Sequence, residues 1–380
     1  MKLSVIPYGK QWIDDEDIRS VVQTLKSDWI TQGKIVEKFE KLLSSYVNSK
    51  YAVAFSNGSA ALQAAYFAAD IKEGAEVITS PLTFAATANA AIWQGANVVF
   101  ADIVQTTGNI DPEEVSKKIS KKTKAIVSVD YAGLPADFEE LKNIARKHKL
   151  VLIDDASHSL GAIYKDLKVG GISDLTTFSF HPVKIITTGE GGAVTTNNKD
   201  YYQKLLIFRN HGIVKDRGSF LKKNSDPWYY EMQELGLNYR LTDFQAALGI
   251  SQLSKIDKFL SLRRKQAEFY GREFKHLDNI LLPSETFQSQ SAWHLYVIRL
   301  LGDKSARGKM FRALKKKCIQ TQVHYIPVYW HPYFKNLGYK LGLCPEAEKW
   351  YESCLSLPLF PRLKKNDQLR VINAIKEVLS

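Results

Sequence analysis

The run KAIVSVDYAGLPADFEELKNIARKHKLVLIDDA, residues 124–156, reads as an apolar strand, an amphipathic helix and a second apolar strand that ends in two acids. Short continuous apolar runs bounded by turn residues mark strands buried on both faces, and a helix between two of them is the crossover that a parallel pair needs. The same rhythm extends outward. Upstream lie YAVAFS at 51–56, EVITS at 76–80 and NVVFADI at 97–103, each followed by a helical stretch. Downstream, LTTFSF at 175–180 and GGAVTTN at 191–197 are joined by a loop alone, so strict alternation ends there. The pattern predicts an open α/β sheet, largely parallel and covered on both faces.

A chain of 380 residues with 45% hydrophobic composition exceeds what one compact core usually holds. Beyond about residue 240 the pattern changes to a long helical segment at 243–274, a strand WHLYVIRL at 293–300, a helix, a strand QVHYIP at 322–327 and closing helices. Residues 1–250 are therefore assigned to a large domain and 251–380 to a smaller α+β domain. The N-terminal arm, with Asp14 and Asp15 as cap candidates for a first helix, is free to pack on either.

Three cysteines without paired spacing fit a reducing compartment and neither a disulfide framework nor a zinc site, so no metal is expected. The opening residues lack the apolar core of a signal peptide, and no stretch approaches the ~18 apolar residues of a membrane span. A cytoplasmic, membrane-free protein is the expectation. The net charge of +12 comes from scattered lysines without aromatic interleaving, which argues against nucleic acid. It supplies a positive field that suits an anionic substrate such as a sugar diphosphate.

Four constellations carry the chemistry. In SNGSAAL, 56–62, a strand gives way to small residues that open a helix, where free N–H groups hold a phosphate; Gly58, Ser59 and Ala60 would line that cup. An ordinary tight turn reads the same way. In LIDDASHSLG, 152–161, an acid at a strand end suits a protonated pyridine nitrogen, with Asp155 the candidate and Asp154 the other choice. A helix cap or a metal-binding pair is the competing reading. His158, in the same stretch, is placed to meet a ring oxygen or to serve a structural role. In FSFHPVKIITTGEGGAV, 178–194, Lys184 sits in a glycine-rich loop, where its amine can condense with an aldehyde and then move protons on the substrate; Ser179 adds a hydroxyl for a phosphate. In PLTFAATANA, 81–90, Phe84 at a strand exit can stack on a flat heteroaromatic ring or simply fill core. Phosphate cup, stacking ring, acid and lysine come in the order that one aromatic phosphate cofactor requires.

These motifs, with LGLNYRLTDFQAALGISQL at 235–253, resemble those of the DegT/DnrJ/EryC1/StrS sugar aminotransferase family over nearly the whole chain, from TQGK at 31 to LSLPLFPRL at 355–363. Within it, KAIVSVDYAG, HPVKIITTGEGGAV and QVHYIPVY are similar to the branch that aminates C4 of a sugar in pseudaminic acid biosynthesis. The resemblance implies a fold-type I transferase with a mostly parallel seven-stranded sheet and a smaller C-terminal domain. It implies pyridoxal 5'-phosphate as cofactor, L-glutamate as donor, a UDP-linked 4-keto sugar as acceptor, and a homodimer with active sites at the interface. Residue by residue, Lys184 matches the cofactor-binding catalytic lysine, Asp155 the pyridine partner, Phe84 the stacking aromatic, and Ser59, Ala60 and Ser179 phosphate contacts. Asn238 matches a residue reaching across from the partner subunit. Tyr8, the turn Trp29–Ile30–Thr31, and the segment His324, Tyr325, Ile326 and Pro327 match substrate contacts. His181 is shared with close relatives, and His211 and His294 read as satisfied structural histidines. A related dehydratase carries histidine at the lysine position, so Lys184 counts against that activity, and a non-catalytic scaffold would have lost the lysine or the acid.

Overall fold

The computed structural model describes residues 4–222 and 226–379. Seven strands, β1 (Tyr51–Phe55), β2 (Glu76–Thr79), β3 (Asn97–Phe100), β4 (Thr123–Val129), β5 (Val151–Asp155), β6 (Leu175–Ser179) and β7 (Gly192–Thr196), form one sheet in the order β1-β7-β6-β5-β4-β2-β3. The neighbours from β6 to β3 pair in parallel, while β7 pairs antiparallel with both β1 and β6. The exception follows from the connection. Only a loop without a helix joins β6 to β7, and the chain turns back to pair antiparallel.

Alternation along the strands builds two cores. Val53, Phe55, Val77, Val127 and Ile153 face the helices Gly58–Ala68 and Ala85–Trp93. Ala52, Ala54, Ile78, Ile126 and Leu152 face the helices Lys34–Tyr46, Phe138–His148 and Asp243–Leu253. With both faces covered, the open positions lie at the C-terminal ends of the parallel strands, where α/β sheets gather ligands.

A three-stranded antiparallel sheet (Ile280–Leu281, Tyr296–Leu300, Cys354–Leu357) and the helices Ala306–Lys316 and Lys365–Leu379 enclose a third core. The predicted long helix is two, Asp243–Leu253 and Ile256–Phe274. Ile256 and Phe259 of the second pack with the large sheet and Ala267, Tyr270 and Phe274 with the small one, so the core changes hands along this helix, past residue 250. The arm touches both layers. Ile6 sits in the small core beside Ile319, whereas Ser20 of the Asp15–Leu25 helix bonds to the Ala247 carbonyl at 3.0 Å. Asp14 is the cap of that helix and shares a capping box with Asp17; Asp15 is its first residue.

The strand expected at 322–327 does not form. Only Gln322 pairs, with Ser356; beyond it the His324 carbonyl is taken by the Tyr131 hydroxyl and the Val328 N–H by the Pro81 carbonyl. Those bonds to the large sheet's loops replace a ladder. Among the described residues no helix is long and apolar enough to cross a membrane.

Candidate active site

At the C-terminal edge of the sheet lies a cleft of about 780 Å³, lined by Tyr8, Gly58, Ser59, Phe84, Asp155, His158, Ser179, Lys184, His324 and Tyr325, residues drawn from the arm, the large sheet and the 322–327 segment. Its floor begins with β1 and the helix it feeds. Asn57 caps that helix by accepting the Ala60 N–H at 2.9 Å, so the amide of Ala60 is spoken for and Ala60 does not line the cleft, contrary to expectation. The N–H groups of Gly58 and Ser59, first in the helix, have no partner within it. A Cβ on Gly58 would come within 2.9 Å of the Ser179 Cβ, so only glycine lets the end of β6 close on the helix N-terminus. Two free amides and a hydroxyl thus converge where the helix dipole favours an anion.

The choice between the two acids is decided by the pleat. Successive side chains of β5 point to opposite faces. Asp154 points into the sheet's interior against Ser128, 2.9 Å away, and burial, followed by the nearby Asp130, holds its carboxyl well above the usual carboxylate range. Asp155 faces the cleft, its Oδ1 accepting the Ser157 hydroxyl at 2.6 Å and amide at 3.2 Å and its Oδ2 the Thr87 hydroxyl at 2.6 Å. Three donors fix the carboxylate in one orientation.

Lys184 occupies the β6–β7 loop. Its N–H bonds to the His181 carbonyl at 2.9 Å, and Thr187 and Thr188 both bond to the Phe180 carbonyl, which ties the loop down. Among the described residues its ammonium has no hydrogen bond or ion pair, and burial lowers its pKa to about 8 although Asp155 pulls the other way. An amine of that kind holds more free base near neutral pH than an exposed lysine does. Phe84 stands at the start of its helix, 65% exposed, with one face bare.

The walls are aromatic. His158, buried, meets the Tyr325 hydroxyl through Nε2 at 3.0 Å, and burial and then the Lys184 charge keep it neutral. His324 is anchored through Nδ1 to the Ser356 hydroxyl at 2.8 Å; burial, then Lys184, pushes its pKa down to about 3. Its ring lies 5.9 Å from that of Tyr8.

Other expected residues are elsewhere in this chain. Trp29 and Ile30 are exposed, Thr31 bridges Thr242, Asn238 is exposed and bridges Asn210, and Ile326 and Pro327 turn away from the lining. His181 lines the rim, while His211 lies on a turn at φ +60°, exposed and outside it. His294 corrects the reading as a satisfied histidine: it lines the cleft, and among the described residues its buried Nδ1 has no partner. Asn57, Thr87, Ser157 and Glu190 were missed. An asparagine before a helix is a cap signal, and a serine two residues after an aspartate is an Asx-turn signal, but nothing local links Thr87 to Asp155.

The model of the DegT/DnrJ/EryC1/StrS aminotransferase family matches residues 11–376. The protein MJ1066 of Methanocaldococcus jannaschii, of no stated function, is 43% identical over 99% of this chain and 98% of its own. The UDP-4-amino-4,6-dideoxy-N-acetyl-beta-L-altrosamine transaminase of Campylobacter jejuni subsp. jejuni serotype O:23/36 is 40% identical, over 99% and 98%. Among solved structures, Helicobacter pylori PseC, an aminotransferase involved in the biosynthesis of pseudoaminic acid, superposes with a TM-score of 0.91 at 34% identity, over 99% of both chains.

Proposed function

The chain belongs to the DegT/DnrJ/EryC1/StrS aminotransferase family, and from that premise we propose that it moves the amino group of L-glutamate to C4 of a UDP-linked 4-keto-6-deoxy-N-acetyl sugar. It is a sugar aminotransferase of nucleotide-sugar biosynthesis that uses pyridoxal 5'-phosphate. The observation that carries the site is the convergence on one cleft of an unpaired lysine, an oriented carboxylate, a bare aromatic face and a cup of free amides.

Those features fit the cofactor. The Gly58 and Ser59 amides and the Ser179 hydroxyl would hold its phosphate, Phe84 would cover its ring, Asp155 would face its pyridine nitrogen and Lys184 would offer the amine for its aldehyde. When bound, it supplies a ring that takes up the electrons released as a substrate C–H bond breaks. Lys184 does the proton work: its Nζ, desolvated and unpaired, takes a proton from the α-carbon of glutamate and returns one to C4 of the sugar. The face on which it stands sets the configuration at C4. Thr87 and Ser157 keep the Asp155 carboxylate aimed into the cleft. Tyr8, His324 and Tyr325 form the sugar side of the cleft, and their neutral rings let the diphosphate seek the chain's positive field instead.

The acceptor is UDP-2-acetamido-2,6-dideoxy-β-L-arabino-hex-4-ulose, the ketone that corresponds to the amino sugar in the name of the Campylobacter relative. The active unit is a homodimer in which Asn238 and the Trp29–Thr31 turn, exposed in one protomer, complete the cleft of its partner. The test is incubation with glutamate and the L-arabino or D-xylo 4-keto sugar, with 2-oxoglutarate and amino sugar followed by mass spectrometry and NMR. Amination of the L-arabino sugar supports the assignment. Amination of the D-xylo sugar alone keeps the reaction and overturns the substrate.

A further inference from the structure

His294 reaches the cleft wall from the small layer, and two devices press it there. The first is Gly133, in the turn after β4 at φ +102°. A side chain at that position would strike the His294 N–H at 2.9 Å and the His158 carbonyl at 3.0 Å, so bare backbone is what brings the two segments together. Ala292 and Leu295 lock the approach with bonds to the Gly133 and Ala132 carbonyls, at 2.9 and 3.1 Å. The second is Arg263, 1% exposed and with no carboxylate partner among the described residues. Its guanidinium donates to the carbonyls of Trp293, His294 and Leu359, at 3.3, 3.2 and 3.1 Å. The Leu359 N–H in turn bonds to the Tyr8 carbonyl at 3.0 Å. A buried cation without an anion is costly, and here it staples the His294 backbone to the Leu359 segment that holds the Tyr8 carbonyl.

The outcome is a row of rings. His294 lies 4.4 Å from His158, His158 stacks on Tyr325 at 6.0 Å and 19°, and Tyr325 approaches Phe84 at 6.4 Å. Among the described residues the His158 ring has one hydrogen-bond partner, the Tyr325 hydroxyl, and its buried Nδ1 has none. Its plane is therefore set by the ring behind it. We propose that His294 is a positioning residue, which fixes His158 and through it the Tyr325 hydroxyl on the wall facing the cofactor. The inference rests on the reading of this cleft as the aminotransferase site.

The test is a double-mutant cycle on cofactor binding, with pyridoxal phosphate titrated into apoprotein and followed by absorbance. His294→Leu removes the ring and keeps most of the volume, Tyr325→Phe removes the hydroxyl, and His294→Phe keeps a ring. We expect His294→Leu and Tyr325→Phe each to weaken binding about fivefold, the double variant to be no weaker than either, and His294→Phe to stay within about twofold of wild type. Multiplied effects in the double variant, or wild-type binding by His294→Leu, would overturn the positioning role. Should His294→Leu fail to fold, His294→Asn takes its place in the cycle with the same expectations. Wild-type protein that fails to bind the cofactor would instead overturn the reading of the site.

Discussion

The C-terminal edge of the large sheet and the excursion between residues 211 and 238 are built on opposite terms. At the edge, each functional side chain has its own support in the same chain: Asp155 has three donors, Asn57 its cap bond and Lys184 a loop tied to Phe180. In the excursion, Trp228, Leu235 and Met232 are 77, 76 and 63% exposed, and Asn238 stands at its base without a place in the cleft. Among its described residues Glu231 gathers the Leu221 and Lys222 amides at 2.8 Å each. Large apolar side chains left in the open suit the dimer proposed above. One region supports its side chains from within a protomer; the other, under that dimer, meets a second copy.

The largest expected effect falls on the self-sufficient edge. Lys184→Ala should lower kcat by at least about a thousandfold, because amine and proton shuttle go together. Steady-state release of 2-oxoglutarate measures it, and substantial residual turnover would remove Lys184 from the chemistry. Asp155→Asn should cost about a hundredfold and Asp154→Asn less than about twofold, since only the first faces the cleft; the reverse order would exchange their roles. Capture of pyridoxal phosphate by the apoprotein reads the lysine directly. With its pKa lowered to about 8, the free amine grows as pH rises, so the capture rate should climb about tenfold from pH 7 to 9 and then level off. A flat stopped-flow profile would contradict that amine as the attacking group.

Asn238→Ala should lower activity about fivefold, and the comparison predicts how to recover it. Mixed with inactive Lys184→Ala protein under conditions that exchange subunits, it should give heterodimers with one intact site, returning about a quarter of the sites to full activity. No gain on mixing would place Asn238 in its own protomer's cleft or nowhere near one. The smallest effect lies beneath the edge. The Asp154 carboxyl is raised in the fold, so stability is lost as pH climbs from its unfolded value towards its folded one. Asp154→Asn should then raise the melting temperature by about 2–4 °C at pH 7 and by nothing below pH ~4. Equal gains at both values, by calorimetry, would remove the ionisation argument.

What the sequence makes legible follows the range of the interactions. Strand rhythm, the strand-end position of Asp155 and the loop position of Lys184 depend on neighbours in the chain, and each is legible there. Phe84 was found by its place after β2, but whether it was core or bare could not be told until its exposure was known. QVHYIP looked like a strand because its alternation is that of one; its partners turned out to be the Tyr131 hydroxyl and the Pro81 carbonyl, far upstream. His294 passed as ordinary because Gly133 and Arg263, which press it into the wall, are remote in sequence. Asn238 was reached through resemblance, since no property of a single chain assigns a residue to a neighbour's pocket.

The helix Ile256–Phe274 has a mechanical consequence. Rooted in the large core at Ile256 and Phe259 and in the small core at Tyr270 and Phe274, it acts as an axle common to both. Neither half can melt without unseating a rod that the other holds, so heating the chain should produce a single calorimetric peak rather than two. The same rod carries Arg263 at its midpoint, which means that the cleft wall keeps its shape only for as long as both halves stay folded.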